Sequence, residues 1–267
     1  MHITITGNLG SGKSTICKLL NEEYHFEVYS TGKVQREIAR QMNMSTLELN
    51  QLMCSDHKYD TMIDDATAKI SRENKDKDII FDSRLAWHFV ESSFKVFLSV
   101  SLEVAANRVL QDQRGAEEKY SSIEEAKSLL AERAATENRR YKDIYNLEYL
   151  EFSNYNLVID STYCPPDKIA EIIMKEAKAY EERNHTQADR KMLLSPKRLV
   201  DVEKITEIEQ QKIQSLIEEY KKISDSIPTV IKVTKQGDDY VVIEGLDQVK
   251  AALFAQVPYV PVEVITN

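Results

Sequence analysis

Residues 7–14 read Gly-Asn-Leu-Gly-Ser-Gly-Lys-Ser, directly after an apolar strand signal at Ile3 and Ile5 and directly before a helix-compatible stretch from Thr15 to Glu23. Gly7, Gly10 and Gly12 let the backbone curl around a phosphate with its N–H groups pointing inward. Lys13 then reaches the β and γ oxygens of a nucleoside triphosphate while the Ser14 hydroxyl ligates Mg²⁺. The nucleotide-binding set is therefore Gly7, Asn8, Leu9, Gly10, Ser11, Gly12, Lys13, Ser14 and Thr15.

Such a loop serves GTPases, motors, transporters and small-molecule kinases alike, so the acceptor side must decide among them. Ser30-Thr31-Gly32 follows the second apolar run and precedes a helix carrying Arg36. Asp56, Asp60 and Asp64 recur every four residues, which places three carboxylates on one helical face; that is costly unless they meet cations or face water. Asp82-Ser83-Arg84 closes the third run. Asp82 there would hold the Mg²⁺ shell through water, and Arg84 would fork onto an acceptor phosphate. Arg133 and Arg140 are two helical turns apart, so both guanidinium groups point the same way. Arginines so placed neutralise the charge spread over a moving phosphoryl group, which makes Lys13, Arg133 and Arg140 the candidate catalytic residues. The plain alternative for the two arginines is a charged helix surface paired to Glu132 and Glu137.

The elements that must position these groups alternate. Phe26–Tyr29, Asp78–Phe81, Lys95–Val100 and Asn156–Ile159 read as further buried strands, each separated by long helix-compatible sequence. That order predicts an α/β fold with a parallel sheet. Ligands bind such sheets at the carboxyl ends of the strands, so the motifs converge in space.

The 267 residues carry 35 Lys+Arg against 44 Asp+Glu, a net charge of −9. The overall field repels nucleic acid and anionic membranes, so an anion site must be a local cluster. Cys17, Cys54 and Cys164 are far apart and show no metal-ligand spacing, which predicts a reduced protein without disulfides. The chain enters its first strand without a leader pattern, and no apolar run is long enough to cross a bilayer. The expected address is the cytoplasm.

The chain resembles the cytidylate kinase family, especially its shorter archaeal-type members. The resemblance is carried by Gly7–Ser14, Ser30-Thr31-Gly32 with Arg36, Asp56–Asp64, Asp82–Ala86, Arg133–Tyr141, Ile144-Tyr145 and Tyr155–Ser161. It implies a phosphate-loop nucleoside monophosphate kinase fold with a five-stranded parallel sheet flanked by helices, Mg²⁺-ATP as donor, and CMP or dCMP as acceptor. By matching position it places Arg36 and Arg84 on the acceptor phosphate and makes Arg133 and Arg140 lid arginines. Ser83 stands where the family usually has glycine.

Residues 183–194 read as a polar linker after a kinase-like unit, 1–182. From Arg198 the pattern changes to a short strand, a helix over Glu207–Lys222, a hairpin over Thr229–Glu244, a helix over Leu246–Ala255 and a last strand over Val260–Ile265. Residues 195–267 weakly resemble the ParB/sulfiredoxin-like domain, a second and smaller α+β unit. Where that family brings glycine and arginine to a phosphate, this chain has Gly245-Leu246-Asp247-Gln248. Asp247 would occupy the positive helix end that an anion needs, so the unit reads as regulatory or degenerate, meeting a protein partner or a second copy. A separate unit of this kind is expected to be removable without loss of the kinase core. Two other readings stay open: a kinase for another nucleotide or small phosphorylated metabolite, and a non-catalytic ATP-gated binding protein.

Overall fold

The computed structural model describes residues 1–44, 46–111, 120–183 and 190–265. Strands and helices alternate through β1 (His2–Gly7), α1 (Lys13–Tyr24), β2 (Glu27–Ser30), α2 (Thr31–Gln41), α3 (Thr46–Ser55), α4 (Lys58–Glu73), β3 (Ile79–Asp82), α5 (Ala86–Phe89) and β4 (Phe94–Ser99). They continue through α6 (Leu102–Gln111), α7 (Ile123–Tyr145), β5 (Leu157–Asp160) and α8 (Pro166–Glu182). The C-terminal part holds β6 (Lys191–Leu194), α9 (Glu207–Lys212), α10 (Gln214–Tyr220), β7 (Ile231–Gln236), β8 (Asp239–Glu244), α11 (Leu246–Phe254) and β9 (Val260–Val264).

The nine strands of the described residues lie in one sheet, ordered β2-β3-β1-β4-β5-β6-β9-β7-β8. The first six in that order are parallel. β9 then runs antiparallel to β6, and β8 antiparallel to β7. The expected five-stranded parallel sheet is thus corrected to a mixed nine-stranded one, and β6 is the joint. It falls inside the stretch read as a linker, of which 184–189 lie outside the described residues. Four residues opening on a lysine are too short to show a strand period, yet Leu157 pairs with Lys191 and Ile159 with Leu193.

Two smaller expectations also change. Pro196–Arg198 is a 3₁₀ turn rather than a strand, and the helix expected over 207–222 is broken at Ile213 into α9 and α10.

β1 is buried at every position because helices cover both faces of the sheet. On one face Ile3, Ile5, Leu98 and Ile159 meet Leu20 of α1 and Ile173 of α8. Trp87, Phe97, Tyr155 and Val158 fill the other. α8 starts with Pro166 at its first turn and buries Ile169, Ile172, Ile173 and Ala177, the spacing of one helical face.

The C-terminal residues have a cluster of their own around Leu194, Ile217, Ile231, Val249 and Val260. They also enter the first core, where Tyr259 is fully buried and its hydroxyl donates to Asp160 O at 2.7 Å.

Candidate active site

The strand ends meet where the parallel-sheet rule places them. A cleft of about 680 Å³ is walled by Lys13 and Ser14 of α1, Ser30 to Gly32 and Arg36 around the start of α2, Asp60 and Asp64 of α4, Asp82 at the end of β3 and Arg84 beyond it, and Arg133 and Arg140 of α7. A second cleft, about 1030 Å³, shares Leu9, Lys13, Ser14, Arg36 and Arg133 with the first and continues along Asn8, Gly10, Ser11, Gly12 and Thr15 to Arg108, Ser161 and Pro166. Every residue of the expected site except Gly7 lines one cleft or the other. Gly7 sits just behind, its carbonyl accepting from Arg84 Nη1.

The loop has the form an oligophosphate needs. Gly10 and Gly12 take φ of 75° and 85°, a left-handed backbone that turns successive amides inward. The Ser11 hydroxyl is buried without a partner among the described residues, an orphan that a phosphate oxygen would satisfy. Lys13 is half-buried, and its pKa falls to about 8 because burial, and then the nearby Arg84 cation, disfavour its charge. An incoming polyanion relieves both effects.

Glu137 organises the arginines. Its Oε2 accepts from Arg84 Nε at 2.9 Å and its Oε1 from Arg133 Nε at 3.1 Å. Burial works against its charge, but the two guanidinium groups hold its carboxyl below the usual range. With Nε on Glu137 and Nη1 on the Gly7 carbonyl, Arg84 is fixed at two points and faces the cleft with the rest of its fork. In the sequence Glu137 is visible only as a surface partner; nothing in the spacing marks it as a clamp shared by two elements 53 residues apart.

The three spaced aspartates divide. Asp56 lies ahead of α4 and accepts from Lys58 N at 3.1 Å. Asp60 and Asp64 turn inward and are only 4% and 7% exposed, so the reading of one solvated face does not hold for them. Arg140 Nη2 lies 3.6 Å from Asp60 Oδ1, and Tyr145 donates to Asp64 Oδ2 at 2.8 Å. Burial, with Asp60 adding to it, pushes the Asp64 carboxyl up to about 7 against the Tyr145 hydrogen bond and Arg140. Among the described residues, Asp60 Oδ2 and Arg140 Nε are buried without partners.

Asp82 accepts from Ser30 Oγ at 3.0 Å, which ties the second strand end to the third. The Ser83 hydroxyl accepts from Leu85 N at 3.3 Å and stays within its own turn. Trp87 packs among Tyr155 and Phe97 as a core residue. Arg108 has no signal in the sequence. It bridges the clefts' far wall, donating to Gly10 O at 3.3 Å and Ser161 O at 2.6 Å.

A phosphate loop facing a second, arginine-walled cleft at the ends of parallel strands defines a phosphotransferase of the nucleotide-kinase type. Residues 2–163 match the Cytidylate kinase-like family, and this chain belongs to it. It is similar to a cytidylate kinase of Methanothrix thermoacetophila, 36% identical over 161 residues that span 60% of this chain and 88% of that one. A cytidylate kinase of Methanobrevibacter smithii is 30% identical over 178 residues, 67% of this chain and 99% of its own length. The crystal structure of an uncharacterized protein from Eubacterium ventriosum superposes with a TM-score of 0.52 at 14% identity, covering 67% of this chain and 99% of that one, a likeness of fold. Among the described residues no helix is long and apolar enough to cross a membrane.

Proposed function

We propose that this chain transfers the γ-phosphoryl group of Mg²⁺-ATP to CMP or dCMP, giving ADP and the nucleoside diphosphate. An acceptor phosphate oxygen forms the new P–O bond as the bond from the γ-phosphorus to the bridging oxygen breaks. The acceptor is already ionised, so no histidine base is needed. Lys13 neutralises charge gathering on the β–γ bridge, Arg36 and Arg84 hold the acceptor phosphate in line, and Arg133 and Arg140 complete the cationic wall. Ser14 and Asp82 would hold Mg²⁺, a sparse set that suits a cation taking its other ligands from phosphates and water.

The observation that supports the acceptor assignment is the Asp60–Asp64–Arg140 cluster on the wall of the first cleft. Cytosine offers an exocyclic amino donor, and carboxylates accept from that amino group. Uracil would turn a carbonyl onto the same carboxylates. Initial rates of ADP formation with ATP and each nucleoside monophosphate test the reading. CMP and dCMP should exceed UMP by a factor of about 10 or more in kcat/KM. Equal rates with all bases, or a preference for AMP, would move the function to another acceptor.

The same cluster has a pH signature. The folded protein keeps the Asp64 proton up to about pH 7, whereas the unfolded chain releases it near 3.8. The stability this provides is complete below the lower value and is lost as pH rises through the upper one. Asp64→Asn should therefore raise the thermal midpoint of the ligand-free protein at about pH 8, by roughly 2–4 °C for each kcal/mol relieved, with the gain vanishing below about pH 4. An equal midpoint at both pH values would show that Asp64 is not held protonated by burial.

For residues 195–267 we retain the ParB/sulfiredoxin-like reading, with its phosphate turn lost. Gly245 precedes α11 and Asp247 sits in its first turn, where a carboxylate opposes anion binding.

A further inference from the structure

The family match ends at residue 163, and the C-terminal residues beyond it touch the kinase part at the wall of the donor cleft. The first amide of α6, Leu102 N, donates to Asp238 Oδ2 at 2.8 Å. Asp238 lies in the exposed turn between β7 and β8, 136 residues further along the chain. The first amides of a helix have no partner within it, and a carboxylate there also meets the positive end of the helix dipole.

Asp238 is held in turn. Arg198 Nη2 donates to Asp238 O at 2.6 Å, and Arg198 Nη1 reaches Asp160 Oδ1 and Thr162 Oγ1, each at 3.2 Å. Thr162 Oγ1 accepts from Ser101 N, the residue before α6, at 3.0 Å. These bonds close a ring that runs from the hairpin to α6, across Ser101 to Thr162, and through Arg198 back to the hairpin. The Arg198 side chain is 6% exposed, and its partner Asp160 is fully buried.

α6 rests directly on the phosphate loop. A Cβ at Gly10 would lie 2.9 Å from the backbone of Ala105, so helix and loop touch without slack. Arg108, on the same helix, donates to Gly10 O and to both Ser161 O and Ser161 Oγ. A shift of α6 would therefore move the loop that wraps the donor phosphates.

We propose that Arg198 and Asp238 are positioning residues for phosphoryl transfer: from outside the family's matched region they hold α6 against the phosphate loop and so set the affinity for the triphosphate donor. Neither residue lines the donor cleft. The proposal rests on the reading of that cleft as the ATP site.

Steady-state kinetics of the full chain test it. Asp238→Ala should raise KM for ATP about fivefold, the worth of one lost hydrogen bond, with kcat and KM for CMP close to those of the native protein. Asp238→Asn keeps an acceptor oxygen and should restore most of the loss. Arg198→Ala should raise KM for ATP more, since it also strands the Asp160 carboxylate. If Arg198→Ala fails to fold, Asp238→Ala on its exposed turn still decides the matter, with a cooperative thermal transition as the check on folding. An unchanged KM for ATP in folded Asp238→Ala, or an equal rise in KM for both substrates, would overturn the proposal. Failure of the underlying reading looks different: the native chain would form no ADP from ATP with any nucleoside monophosphate, and both would fall together.

Discussion

Lys13→Ala is expected to lower turnover by roughly a hundredfold to a thousandfold, the usual cost of removing one preorganised group that stabilises transition-state charge. The loop amides would still hold the phosphates, so the loss belongs to kcat more than to KM for ATP. The fold should survive the change. Burial and the Arg84 cation already press the Lys13 pKa down to about 8, so below that pH its ammonium costs stability in the ligand-free protein. The variant should therefore melt no lower than the native chain at about pH 7, and its ADP formation, measured with saturating ATP and CMP, should nearly disappear. A folded variant with near-normal turnover would remove the loop from the mechanism.

Truncation after Glu182 is expected to give an insoluble or severely destabilised protein, contrary to what a polar linker between separate units would predict. The cut removes β6 and leaves β5, buried at all four positions, as an open edge. Leu193 and Tyr259, 3% and 0% exposed, leave the main core, at about 1.5–3 kcal/mol for each large side chain. The cut also strips Arg198 from Asp160, and loss of one partner of a buried pair costs about 3–5 kcal/mol. Together these rival the roughly 5–15 kcal/mol that stabilises an ordinary domain. Stretches of 60% and 67% of this chain's length match 88% and 99% of two relatives, and the dependence lies in this chain's own residues at the β5 edge. Expression of residues 1–182 and its thermal midpoint beside the full chain decide the point. A soluble truncation with a native midpoint would show that 195–267 fold as an independent appendage.

Much of the site is legible in the sequence because local chemistry dictates it. Gly7 to Ser14 read as a phosphate loop because that residue order offers inward amides, a lysine and a hydroxyl together. Alternating strands and helices bring the strand ends to one rim, which is why residues as distant as Ser30, Arg84 and Arg140 line a single cleft. The order of elements thus determined both the class of fold and the place of the chemistry.

Tertiary structure alone decided the partnerships. Whether Asp60 and Asp64 faced water or Arg140 depended on how α4 meets α7, and a four-residue spacing is the same for either outcome. Glu137 became a clamp because β3 delivers Arg84 to α7, and Arg108 became a brace because α6 lies on Gly10. β6 has no signature in the sequence because a four-residue strand between polar neighbours has no period of its own. It exists because β5 on one side and β9 on the other supply its hydrogen bonds, and those partners are distant in sequence. Spacing along a chain encodes which way a side chain points on its own element; what it meets there is set by how the elements pack.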